Sequence, residues 1–279
     1  MKLRCRDQLL ALDRVAVMGV INVTPDSFSD GGLWIDARAA IRHGLDMVAE
    51  GADILDVGGE STRPGAAPVP EREELRRVLP VVEGLAREVG VPISIDTRKP
   101  EVARRAIAAG ASIVNETTGE GGDEAADGIA AESGAALVLM HSRGTPATMG
   151  RLTRYDDVVA DVAGWLRARA ARAEEAGVAR ECIAVDPGYG FAKDARQSLE
   201  LLRGLDRIVE LPYPVLVGTS RKSFIGKALD LPLDARLEGT AATVAWAVSR
   251  GAAIVRVHEV RPMVRVARMI EAIMSPEGL

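Results

Sequence analysis

The chain has only two asparagines, Asn22 and Asn115, and three each of tryptophan, tyrosine and phenylalanine among its 279 residues. With so few aromatics, and 40 acidic against 35 basic residues interspersed along the chain, no surface for nucleic acid is expected. No apolar run approaches the roughly 20 residues that cross a bilayer, so the chain reads as soluble, with no membrane partner. The two cysteines, Cys5 and Cys182, lack CxxC spacing and read as inert thiols, not as ligands, nucleophiles or a disulfide. Met1 to Leu12 is too short, and too charged within its apolar part, for a signal peptide, which points to the cytoplasm. Ser-His-Asp and Cys-His sets are missing, as is a glycine fingerprint for a dinucleotide. Arginine far outnumbers lysine, a bias compatible with a hot habitat or with base composition alone.

What is present is a regular alternation of short β-branched runs and longer amphipathic ones. Strands are predicted at 15–21, 54–57, 92–95, 113–114, 136–140, 183–185, 215–218 and 254–257. Helices are predicted at 37–50, 71–89, 100–109, 123–132, 155–176, 197–210, 237–250 and 262–274. Gly51, Gly110, Gly134 and Gly177 stand where helices hand over to strands. Strict alternation implies parallel pairing with helices outside. Eight such units predict an α/β fold, a (β/α)8 TIM barrel, as a single domain over the whole chain. About 250 residues is usual for that fold, whose active site lies at the C-terminal ends of the strands.

Polar residues gather at those ends. Asn22 and Asn115 each meet a loop there, and Asp56, Asp96, His141, Asp186, Lys222, Arg256 and His258 fall just beyond the ends of other apolar runs. Asp96, Asn115 and Asp186 suit a flat heterocycle rich in N–H donors, because carboxylates only accept while the amide donates and accepts. Lys222 is placed to donate to a carbonyl on the same ring. Taken singly, the asparagines also read as turn caps, and Asp96 and Asp186 as loop caps or as partners of Arg98 and Lys193. Arg256 and His258 are two apart on an extended segment and point the same way. With Asn22 and a loop containing Ser27, Ser29 and Gly31-Gly32 they would cradle an anion. His141 is compatible with either a packed or a functional role, and His43, on the first helix, with a solvated or packed one. The connections 22–35 and 58–70 are long for βα loops and read as lids, with Phe28 in the first and Thr62, Arg63 and Pro64 in the second.

These residues lie within ordered signatures: NVTPDSFSDGG, DVGGESTRPGA, SIDTRKP, GASIVNE, MHSRGTPATM, DPGYGFAK, GTSRKSFIG and RVH. Across residues 16–269 the sequence resembles the dihydropteroate synthase family. The resemblance implies a barrel transferase of folate biosynthesis that joins 6-hydroxymethyl-7,8-dihydropterin diphosphate to 4-aminobenzoate, a sulfonamide target and a homodimer. It implies that Asp96, Asn115, Asp186 and Lys222 bind the pterin, with Asp96, Asp186 and Lys222 catalytic and Met140 and Phe191 lining the pocket. Arg256 would lie against the ring and reach the diphosphate, which His258 also holds, and Asn22 would be the Mg2+ ligand. Thr62, Arg63 and Ser220 would meet the diphosphate or the aminobenzoate. The chain departs from the family pattern at Glu116 for Asp, Tyr189 for Phe and Ala192 for Gly, changes that touch the fine shape of the pocket. A pterin-binding methyltransferase domain acting on methyltetrahydrofolate is the alternative, and it has no need of NVTPDSFSDGG, SRKS or RVH.

Overall fold

A computed structural model of the chain describes residues 1–23, 33–61, 65–121 and 125–278. Among them, eight parallel strands form a ring: β3 (Ala16–Asn22), β4 (Ile54–Gly58), β5 (Ile93–Thr97), β6 (Ile113–Glu116), β7 (Ala136–Met140), β8 (Ile183–Asp186), β9 (Leu216–Val217) and β10 (Ile254–Val257). The hydrogen-bonded order runs from β8 down through β7, β6, β5 and β4 to β3, then to β10 and β9. A single parallel bridge, Val185 to Val215, joins β8 to β9 and closes the barrel. The helices outside are α1 (Leu33–Ala49), α2 (Glu71–Glu88), α3 (Pro100–Ala108), α4 (Ala125–Ser133), α5 (Val158–Glu175), α6 (Ala195–Arg203), α7 (Leu205–Val209), α8 (Ser223–Leu229), α9 (Leu237–Ser249) and α10 (Val260–Met274).

Apart from Asn22 and Arg256, the barrel strands are buried on both faces, which is why their N-terminal parts read as apolar runs. Alternate residues divide between two cores. Val17, Leu55, Val57, Ile95, Val114, Leu137, Leu139, Val185 and Val255 face the helices, whereas Ala16, Met18, Ile54, Ile113, Ala136, Val138, Ala184, Leu216 and Ile254 fill the interior. The inward series changes character toward the C-terminal ends: Ile54 gives way to Asp56, Ile113 to Asn115, Ala184 to Asp186 and Ile254 to Arg256. Because side chains repeat every two residues on a strand, these polar groups must enter the same lumen as the apolar residues below them.

Three elements depart from the sequence expectation. The N-terminal segment is a hairpin of β1 (Lys2–Cys5) and β2 (Gln8–Ala11), antiparallel with Cys5 opposite Gln8. Its Leu3 and Cys5 join the interior cluster, so it stops the N-terminal end of the barrel. The helix expected over 197–210 is broken at Gly204, where a Cβ would lie 2.9 Å from a Val159 methyl. Helix α8 was not expected, and it lies between β9 and α9.

Candidate active site

The ladder register sets the side chains of the barrel mouth beside one another. Asp56 pairs with Ser94, Asp96 with Asn115 and Met140 with Asp186. Asp56 is fully buried inside β4, not beyond the strand end, and the strand-end reading gave it no role of its own. It nevertheless organises the site. Arg256 donates from Nε to Asp56 Oδ2 at 2.6 Å and from Nη2 to Asp96 Oδ2 at 2.7 Å, and Asn115 Nδ2 donates to Asp56 Oδ2 at 3.2 Å. Thr117 Oγ1 adds a donor to Asp96 Oδ1 at 3.4 Å. The signal for Asp56 was its place in ILDVG, on the same face as the residues that flank the lumen.

Two buried acceptors in this cluster, Asp56 Oδ1 and Asn115 Oδ1, have no hydrogen-bond partner among the described residues. Buried polar atoms are almost always satisfied, so both mark a place for ligand donors. Across the mouth, Asp186 accepts from the Gly188 N–H at 2.7 Å, which makes it a loop cap as well as a wall. Lys222 Nζ lies 3.9 Å from the centre of the Phe191 ring, and Met140 is buried at the end of β7 in register with Asp186. The alternative pairings do not form. Arg256, not Arg98, holds Asp96, and Lys193 turns to His141, donating to its Nδ1 at 2.9 Å. His43 is exposed, and Cys5 and Cys182 are buried free thiols. Burial pushes the Cys5 thiol up to about 12, in keeping with an inert role.

Charge in the mouth is tuned by burial. Burial raises the Asp96 carboxyl to about 7 against the pull of Arg256, with repulsion from Asp56 adding to the rise. Asp186 also lies above the ordinary carboxylate range through burial, opposed by the Gly188 N–H and by Lys222. Burial lowers the Lys222 amine to about 8, with Asp186 and Asp96 opposing and Arg256 assisting. For Arg256 burial disfavours the cation, yet Asp56 and Asp96 outweigh it and hold the guanidinium charged. The result is a dry cluster of carboxylates compensated by two cations.

Arg256 and His258 part company more than their spacing predicts. Arg256 turns inward to the carboxylates, while His258 Nδ1 meets Ser220 Oγ at 2.9 Å, and that same oxygen accepts the His258 N–H at 3.2 Å. Asn22 ends β3, half-buried and in register with Gly58. It offers one amide oxygen, and no group of three or more His, Cys, Asp or Glu able to hold a metal occurs among the described residues. That donor set fits a Mg2+ whose other positions are filled by diphosphate and water, and does not fit a metal held by protein alone. Phe28, Thr62, Arg63 and Pro64, with Ser27, Ser29 and Gly31-Gly32, lie outside the described residues.

The family described as pterin binding enzyme matches residues 18–258. Dihydropteroate synthase of Bacillus subtilis is 45% identical over 267 residues, covering 96% of this chain and 91% of its own. That of Escherichia coli K12 is 45% identical over 275 residues, covering 99% and 97%. Among solved structures, Xanthomonas albilineans dihydropteroate synthase with 4-aminobenzoic acid superposes with a TM-score of 0.91 at 44% identity, over 98% of both chains. The same enzyme in complex with 7,8-dihydropteroate gives 0.88 at 42% identity, over 99% of both chains. The chain belongs to the pterin-binding enzymes and, within them, to the dihydropteroate synthases.

Proposed function

We propose that the chain condenses 6-hydroxymethyl-7,8-dihydropterin diphosphate with 4-aminobenzoate, giving 7,8-dihydropteroate and pyrophosphate in folate biosynthesis. The observation that carries this reading is the buried Asp56–Arg256–Asp96 cluster, whose acceptors Asp56 Oδ1 and Asn115 Oδ1 await donors, with Asp186 and Lys222 opposite. A pterin edge presents adjacent N–H donors and a carbonyl, the complement of that set. Asp96, Asn115, Asp186 and Lys222 hold the ring, and Met140 and the Phe191 face exclude water from it.

Catalysis follows from the same charges. Breaking the C–O bond to the diphosphate leaves positive charge on the dihydropterin methylene carbon, which ring nitrogens delocalise and the Asp96 and Asp186 carboxylates stabilise. Ser220 and His258 attend the departing pyrophosphate, and Arg256, held by Asp56 and Asp96, is assigned to it by the family resemblance. Asn22 would hold a Mg2+ through its amide oxygen, and the ion would supply charge neutralisation to the leaving group. The neutral aromatic amine then forms the C–N bond and gives up a proton. Thr62 and Arg63, with the lid residues Phe28 and Pro64, are assigned to the diphosphate and aminobenzoate side by the family resemblance.

The chain is proposed to act as one domain in the cytoplasm, without nucleic acid or membrane. No helix among the described residues is long and apolar enough to cross a membrane. A homodimer through outer helices is supported by exposed Leu237 and Trp246 on α9 and Met269 and Ile273 on α10. Mixing the protein with the dihydropterin diphosphate, 4-aminobenzoate and Mg2+ should release dihydropteroate and pyrophosphate in equal amounts. Binding of both substrates without product would reject the reading.

A further inference from the structure

Lys193 is 6% exposed, burial pushes its amine well below the usual lysine range, and its Nζ is caged. Besides His141 Nδ1 at 2.9 Å, Nζ lies 3.0 Å from the Gly188 carbonyl, 3.0 Å from the Phe191 carbonyl and 3.3 Å from the His141 carbonyl. His141 ends at the mouth from β7 and is fully buried. Gly188 and Phe191 belong to the connection from β8 to α6, which begins at Asp186. One side chain thus ties together the ends of two adjacent strands.

Backbone geometry shows how closely these ends are pressed. Gly188 has φ +69°, and a Cβ there would fall 1.9 Å from the His141 carbonyl oxygen, so only glycine fits. Ala192, between Phe191 and Lys193, also sits in the left-handed region at φ +48°, a conformation that a residue with a Cβ resists. Such strain persists where surroundings over-determine it, and it gathers at working sites. The contacts of Lys193 supply part of that constraint, beside the Phe191 N–H bond to the Gly188 carbonyl at 3.1 Å and the His141 N–H bond to the Asp186 carbonyl at 2.9 Å.

We infer that Lys193 is a positioning residue for the pterin pocket: by clamping the Gly188 and Phe191 carbonyls against His141, it fixes the Asp186 carboxylate and the Phe191 wall. The inference rests on the pterin pocket proposed above. Gly188 is the link, since its carbonyl accepts from Lys193 while its N–H holds Asp186 Oδ1. Phe191 is the second link, since its carbonyl is clamped and its ring carries Lys222. Burial, with Lys193 next, drives the imidazole of His141 down to about 4, so it stays a neutral acceptor at Nδ1. Its other nitrogen faces Glu120 Oε1 at 3.6 Å, and Glu120 is itself held by Arg143.

The test is calorimetric binding of a pterin lacking the diphosphate, alongside the KM for 4-aminobenzoate. Lys193→Met keeps the aliphatic stem and removes the Nζ donor from three carbonyls and an imidazole nitrogen, of which the Gly188 carbonyl keeps the Phe191 N–H. Pterin affinity per folded molecule should fall roughly tenfold or more, while the KM for 4-aminobenzoate stays put. Lys193→Ala removes the four atoms that propylammonium replaces, and adding propylammonium, but not propanol, should restore pterin binding. That variant, folded in propylammonium, carries the comparison if Lys193→Met does not fold. Unchanged pterin affinity in the folded variants, or equal restoration by propanol, would overturn the inference. If the unsubstituted chain failed to bind the pterin, the pocket itself would be misread, and the positioning role would fall with it.

Discussion

Asp96 and Lys222 change charge in the neutral range because the barrel mouth buries the first and half-buries and desolvates the second. Asp96 is an acceptor at both oxygens only when ionised, so binding of the pterin's N–H groups should strengthen as pH rises through about 7. Lys222 donates as a cation, so its contribution should be lost as pH rises through about 8. The pH profile of kcat/KM for the dihydropterin diphosphate is therefore expected to be a narrow bell, with limits belonging to the coupled cluster. Lys222→Arg keeps its charge to much higher pH and should move the alkaline limb upward. A flat profile between about pH 6 and 9 would refute this assignment. Tyr189 offers a stability test. Its hydroxyl is buried with no partner among the described residues, and its ring packs 6.5 Å from that of Phe224. Tyr189→Phe relieves that desolvated group and should stabilise the fold by about 1 kcal/mol in denaturant unfolding; a loss of that size would mean the hydroxyl is bonded. Asp96, Asn115, Asp186, Lys222 and Arg256 were legible in sequence because each follows an apolar run. What joins them was not: the Arg256 bridge to Asp56 spans 200 positions and depends on register.

At the level of elements, strands and helices were read largely where they stand, since burial on both faces makes most of each strand apolar. The strand at 113–116 was read short because Asn115 and Glu116 are polar yet buried. Periodicity ran unbroken through Gly204, and the break there comes from contact with Val159, which lies on another helix. Helix α8 is seven residues long with a glycine inside it, and a Cβ at Gly226 would meet the Arg236 guanidinium at about 2.4 Å. The N-terminal hairpin was missed because Lys2 and Arg4 mask the alternation of Leu3 and Cys5, the two residues that point inward. Leu3 is fully buried against the interior cluster, which also contains Met18, Ile113 and Ile254. Leu3→Ala should therefore cost about 2–5 kcal/mol of stability, measured by chemical denaturation, without changing pterin affinity at the opposite end of the barrel. A cost well below about 1 kcal/mol would show that the hairpin is not a stopper.

Over the whole molecule, the count of eight units was readable because each carries its own period, but where the ring is weakest is a property of closure alone. Seven of the eight strand junctions are ladders, whereas β8 and β9 meet through the Val185–Val215 bridge and the bond from the Val185 N–H to the Pro214 carbonyl at 2.9 Å. Strand β9 has two residues, and Pro214 before it has no N–H to give. Opening this seam breaks fewer bonds than opening any ladder, so it belongs to the low end of local stability. The seam also divides the proposed pocket, with Asp186 at the end of β8 and Ser220 and Lys222 beyond β9. A pterin touching both Asp186 and Lys222 would bridge it, and a ligand that binds only the closed ring must stabilise that ring. In amide hydrogen exchange, Val185 should exchange faster than Val114, which lies between full ladders, and a bound pterin should slow Val185 more than Val114. Equal exchange at the two amides in the free protein would show that the ring opens only by global unfolding, and would sink the idea that the substrate fastens the seam.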